Sequence, residues 1–268
     1  MPTTLWQFKD LFFALRDRDR PAEHLAPWLD AHPEVLAELH DLGRPESRTV
    51  RFVSRDREYT PLEGLYALGR VIDVLLAPHQ PARPDAPENE WPGLHPSPAA
   101  WDLLRARLGA APVAESAFHP FFHEIVSVQP SDDPDEPPTL IAEHWPGAIV
   151  GSLLLARAGV AIRAGANHVH PEVATRSCLY WAWYRRNRES TDLSRGWGSN
   201  SQWGTNFRRD YIAQGELHYH VDARRLPGPP PELSEADRLS LLRHRCSLKT
   251  DLGNDEWPYS ETFTEPAP

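Results

Sequence analysis

The stretch Phe118–Val128, FHPFFHEIVSV, is where the periodicity of this chain changes, and it decides the fold class. Upstream of it apolar residues recur at helical spacing; from it onward they fall into short β-type runs. Leu5, Phe8, Leu11, Phe12 and Leu15 predict a helix from about Thr4, ended by the charged RDRDR run. A second helix is expected after Pro21, with Leu25, Trp28 and Leu29, and a third from Pro33 to a stop at Gly43, because proline suits the first helical turn and glycine the exit. Val50 and Phe52 suggest a short strand within 48–54. Thr60-Pro61 opens a further helix carrying Leu62, Leu65, Leu68, Ile72, Leu75 and Leu76, and a short one is expected over 99–108.

The runs Ile125–Val128, Ala148–Ala156, Gly159–Arg163 and Leu179–Tyr184 read as strands of a mostly antiparallel sheet. Ser131–Pro138, SDDPDEPP, reads as a hairpin loop, Ser234–Arg245 as a last helix capped by Ser234, and the tail after Asp251 as irregular. The fold class expected is therefore α+β, an N-terminal helical part packed against a C-terminal mostly antiparallel β-sheet. Its organisation reads as a helical part over 1–78, a Pro-rich linker or surface loop over 79–98, and a β-rich part over 99–268 that carries the site.

Composition narrows the function classes. At 268 residues and 40% hydrophobic the chain can bury a sizeable core, while a formal charge of -10 disfavours general affinity for nucleic acid or anionic membrane. Two cysteines, Cys178 and Cys246, make no metal or disulfide pattern and point to a reducing cytoplasm. The opening MPTTLWQFKD has no signal-peptide character, and no apolar run is long enough to span a bilayer.

Three groups of residues can carry chemistry. His119, His123 and Glu124 flank Phe121 and Phe122; two imidazoles four apart beside an acid suit catalysis, as general base and its partners, although Pro120 and the IVSV run oppose a helix there. His168/His170 and His218/His220 are His-x-His pairs. On a strand each pair shares one face about 7 Å apart, and on neighbouring strands the four imidazoles would converge on a divalent transition metal, with Glu172 as a further ligand. The plainer reading makes each pair the polar side of a strand, with Val169 and Tyr219 turned inward.

The third group lies in RGWGSNSQWGTNFRRDY, residues 195–211. Trp197, Asn200, Gln202, Trp203, Arg208 and Arg209 combine ring faces, amides and guanidinia suited to a small polar or anionic ligand. Two functions follow. One is an enzyme acting on such a molecule with the histidines as base or metal ligands. The other is an acidic interaction or immunity-type protein that meets a basic protein partner through its Trp and Arg patch.

Overall fold

A computed structural model describes residues 3–16, 21–49, 61–79, 97–175, 209–221, 234–250 and 261–268. Its helices lie mostly in the N-terminal half and its strands in the C-terminal half, the α+β arrangement expected. The expected strand at Leu179–Tyr184, most of the one at 48–54 and most of the Pro-rich segment fall outside the described residues; Arg48 and Thr49 themselves end a 3-10 turn, Pro45–Thr49.

Helices α1 (Phe8–Arg16), α2 (Pro21–Ala31), α3 (Pro33–Leu42) and α4 (Pro61–Leu76) form the N-terminal bundle. A 3-10 turn, Thr4–Gln7, starts it: the Thr3 hydroxyl accepts the Leu5 N–H at 3.2 Å, while Thr3 and Thr4 donate to Glu38 on α3. The apolar spacing of α1 buries Leu11, Phe12 and Leu15 completely. In α4 the apolar residues run nearly all round the helix, so it occupies the centre, with Leu65, Leu68, Val71, Leu75 and Leu76 all buried. Helix α5 (Ala99–Arg107) adds Trp101 and Leu104 to the same core, and the Trp101 indole N–H donates to the Pro146 carbonyl at 3.0 Å.

Two sheets follow. The first has the order β1-β5-β2, from β1 (His123–Pro130), β5 (Ala158–Ala164) and β2 (Thr139–Trp145). The second is antiparallel, with β3 (Ala148–Val150), β4 (Leu153–Ala156), β6 (Asp210–Ala213), β7 (Glu216–Tyr219) and β8 (Phe263–Pro266) in that order. The chain passes from the second sheet to the first at Arg157, between β4 and β5.

Three local readings change. Ser131–Pro138 does not close a hairpin, because β5 lies between β1 and β2 and runs parallel to β1. The reason is burial: β5 is the more apolar strand and takes the centre, leaving the largely exposed β2 at the edge. Ala148–Ala156 is not one strand but a hairpin turning at Gly151, whose φ of +58° suits glycine. That turn presses on the end of α3, with Ser152 N–H donating to the Gly43 carbonyl at 2.7 Å. The tail is not wholly irregular either: β8 pairs with β7 from Phe263 to Pro266.

The main core joins the helices to Trp145, Val150, Leu153 and Tyr211 of the strand region. Arg209 and Tyr211 lock that junction. The fully buried Arg209 donates to the Ser47 carbonyl at 2.9 Å and to the Tyr211 hydroxyl at 3.1 Å, and Tyr211 donates on to Leu42 O at 2.8 Å. Among the described residues no helix is long and apolar enough to cross a membrane.

Candidate functional site

The residues just before β1 form one tight turn in which the His123 N–H donates to the His119 carbonyl at 3.0 Å. Phe121 and Phe122 anchor it by burial, and Phe121 meets the Tyr219 ring edge-on at 4.9 Å. Pro120 and the strand that follows limit the turn to this single loop, so the helix weighed for His119 and His123 does not form.

The turn fixes where each imidazole holds its proton. Nδ1 of His119 accepts the Phe121 N–H at 3.2 Å, which puts the proton of the neutral ring on Nε2. Nδ1 of His123 lies 3.0 Å from the His119 N–H and 3.1 Å from the His119 carbonyl. That carbonyl already accepts two backbone N–H groups, from Phe122 and His123, whereas the His119 N–H meets only this ring nitrogen among the described residues. Satisfying the backbone therefore makes Nδ1 of His123 the acceptor and Nε2–H its free donor. Burial lowers the pKa of both rings below the ordinary 6.5 and keeps them neutral near pH 7.

Glu265 on β8 is the hub of the cluster. Its Oε1 accepts the Tyr219 hydroxyl at 2.5 Å; Arg243, on α7 (Glu235–His244), reaches Oε1 through Nε at 3.3 Å and Oε2 through Nη2 at 2.7 Å. The fork holds the carboxylate by two points, and burial pushes the Tyr219 phenol up so that it stays protonated. The Nε2 atom of His119 faces Glu265 Oε1 at 3.6 Å. Phe118 stacks between two imidazoles, His123 and His244, with ring centroids 5.9 Å from each. Burial, helped by the Arg243 and Arg157 guanidinia, pushes His244 down to about 3.

Behind this cluster Asp210, fully buried on β6, accepts the His220 N–H at 2.8 Å, contacts the Arg245 guanidinium, and lies 3.7 Å from Arg157 Nη2. Arg157 also donates to the Arg243 carbonyl at 3.1 Å, which ties the charged core to the end of α7.

The remaining sequence candidates are distributed. Glu124 is buried on β1 beside His123. His168 and His170 are not on a strand: His168 sits in a turn with Nε2 3.0 Å from the Asp135 carbonyl, and His170 precedes Pro171, which opens the short helix α6 (Pro171–Ala174). His218 lies in β7, with Nδ1 3.3 Å from the Thr264 hydroxyl. His220 follows the strand at a φ of +55° and turns its Nε2 to the Leu242 carbonyl at 2.9 Å, away from the strand alternation. Val169 and Tyr219 point inward as expected, but His218 and His220 are buried as well. No group of three or more His, Cys, Asp or Glu side chains among the described residues is arranged to hold a metal ion.

Trp197, Asn200, Gln202, Trp203 and Arg208 lie outside the described residues. Arg209 is engaged in the junction between helices and sheet described above. The sequence reading missed Glu265, Arg243 and His244. Comparison with protein-family models, with curated proteins and with solved structures gave no match.

Proposed function

We propose that this protein is a cytoplasmic enzyme acting on a small polar or anionic molecule, with the Nε2–H of neutral His123 meeting an oxygen of the substrate. The observation that carries the reading is the placement of the His123 ring: Nδ1 lies against the His119 backbone, 3.0 Å from its N–H, and no described residue bonds to its Nε2, from which we infer the Nε2–H tautomer. A neutral imidazole held in this way polarises a carbonyl or stabilises a developing oxyanion, because it donates without first having to lose a proton. His119 plays the supporting part, its Nε2–H turned to Glu265. With its proton on Nε2, His123 is a donor and not the base expected of the sequence. Trp197, Asn200, Gln202, Trp203 and Arg208 supply the ring faces, amides and guanidinium that hold the rest of the ligand.

The test uses His123→Phe, which keeps a ring against Phe118 and removes the Nε2–H donor together with the Nδ1 acceptor of the His119 N–H. A panel of small carboxylates, phosphates and sugars is followed by proton NMR for binding and for conversion. A hydrogen bond to a charged group contributes about 1.5–3 kcal/mol, so the variant should bind an anionic ligand roughly 10- to 150-fold more weakly and lose conversion. Equal affinity and turnover in both proteins would remove His123 from the site. Failure of every small molecule, with capture of a basic protein through Trp203, would favour the interaction reading of the acidic chain.

A further inference from the structure

We propose that His119 is a proton switch for this site: taking up a proton breaks the turn that orients His123. The inference concerns regulation and rests on the reading of His123 given above. The two histidines respond to acid differently. A proton added to Nδ1 of His123 displaces the His119 N–H, 3.0 Å away, but that ring has the His119 carbonyl, 3.1 Å away, as an alternative acceptor. A proton added to Nδ1 of His119 is aimed at the Phe121 N–H, 3.2 Å away, and sets donor against donor. The His119 ring must then leave that N–H, and the turn whose N–H and carbonyl anchor His123 loses a hydrogen bond.

The destination is present. Protonated His119 is drawn to Glu265, whose Oε1 is 3.6 Å from Nε2 but is shared with Tyr219 from β7 and Arg243 from α7. The other charged or titratable groups around His119 are Arg157 at the β4–β5 corner, His244 on α7, and Glu115 and His123 on its own segment. Burial and the two guanidinia oppose protonation, while Glu265 and Glu115 favour it; the balance falls below 6.5, so the site is intact at neutral pH and released in acid. The switch thus makes ligand affinity fall with pH even for a ligand whose own charge is constant.

Full-length protein with nitrogen-15 in its histidines and backbone, without ligand, is titrated from pH 8 to 4 by NMR. As His119 protonates, the Phe121 amide and the His123 ring nitrogens should shift with the same midpoint, below 6.5. Tyr219→Phe, which frees Glu265 Oε1 of one donor, should raise that midpoint. A His119 titration that leaves the Phe121 amide and the His123 ring unmoved would overturn the switch, as would a midpoint unchanged by Tyr219→Phe. Neither result depends on ligand binding, so failure of the switch is separable from failure of the His123 assignment, which the His123→Phe affinity reads on its own.

Discussion

Replacing Asp210 by Asn should destabilise the protein by about 3–5 kcal/mol, the usual cost of removing one partner from a buried ion pair. The structure shows why the cost is high at this position. Asp210 is fully buried; its Oδ2 contacts Arg245 and lies 3.7 Å from Arg157, while its Oδ1 takes the His220 N–H at 2.8 Å. An asparagine can keep the His220 bond with its one oxygen, but its NH2 group then faces the Arg245 guanidinium, donor to donor, in a site closed to water. Domains have only about 5–15 kcal/mol in total, so the loss is a large share. At roughly 2–4 °C per kcal/mol for a chain of this size, Tm should drop by at least about 6 °C. Urea titration followed by tryptophan fluorescence gives the free energy directly, and the midpoint should fall with the slope unchanged. A loss below about 1 kcal/mol would refute the assignment of Asp210 as the counter-charge of this core.

Two further outcomes follow from the same geometry. Gly159→Ala would set a Cβ 2.2 Å from the Trp145 ring, which is fully buried and donates to the Arg157 carbonyl at 3.2 Å; overpacking should cost about 1–3 kcal/mol in urea and alter the near-UV circular dichroism of that indole. Acid should destabilise the fold through histidine: His119, His123, His144 and His244 all have pKa values lowered from 6.5 by burial, His244 to about 3, so the unfolded chain binds more protons. That contribution is complete above pH 6.5 and is lost as the pH falls toward 3; equal stability at pH 7.5 and 5 would contradict it.

Much of the helical half is legible in the sequence, since Pro21, Pro33 and Pro61 stand at helix starts and the Leu and Phe spacing of α1 and α4 selects their buried faces. The strand half is harder to read because its order depends on contacts distant in sequence. Nothing in Ser131–Pro138 tells that β5 will insert between β1 and β2, whereas the break in the Ala148–Ala156 run, read as one strand, carries a turn signal in Gly151-Ser152 that the sequence reading passed over. The site is partly legible. His119 and His123 come together because four residues separate them in one turn, whereas Glu265 reaches Tyr219 across 46 residues and joins only when β8 pairs with β7. The Phe263–Pro266 alternation is the one local signal that could have placed it. The His-x-His spacing misleads for a physical reason: at His170 a proline-initiated helix, and at His220 a left-handed residue, interrupt the strand on which the alternation depends.

The proton position on His123 is the most direct test of the account. Long-range nitrogen-15 to proton correlations at pH 8, where both rings are neutral, distinguish the two tautomers. His119 and His123 should both carry the proton on Nε2 and leave Nδ1 bare, since each Nδ1 accepts a backbone N–H. A proton on Nδ1 of His123 would contradict it, returning the lone pair to Nε2 and making that residue a base instead of a donor.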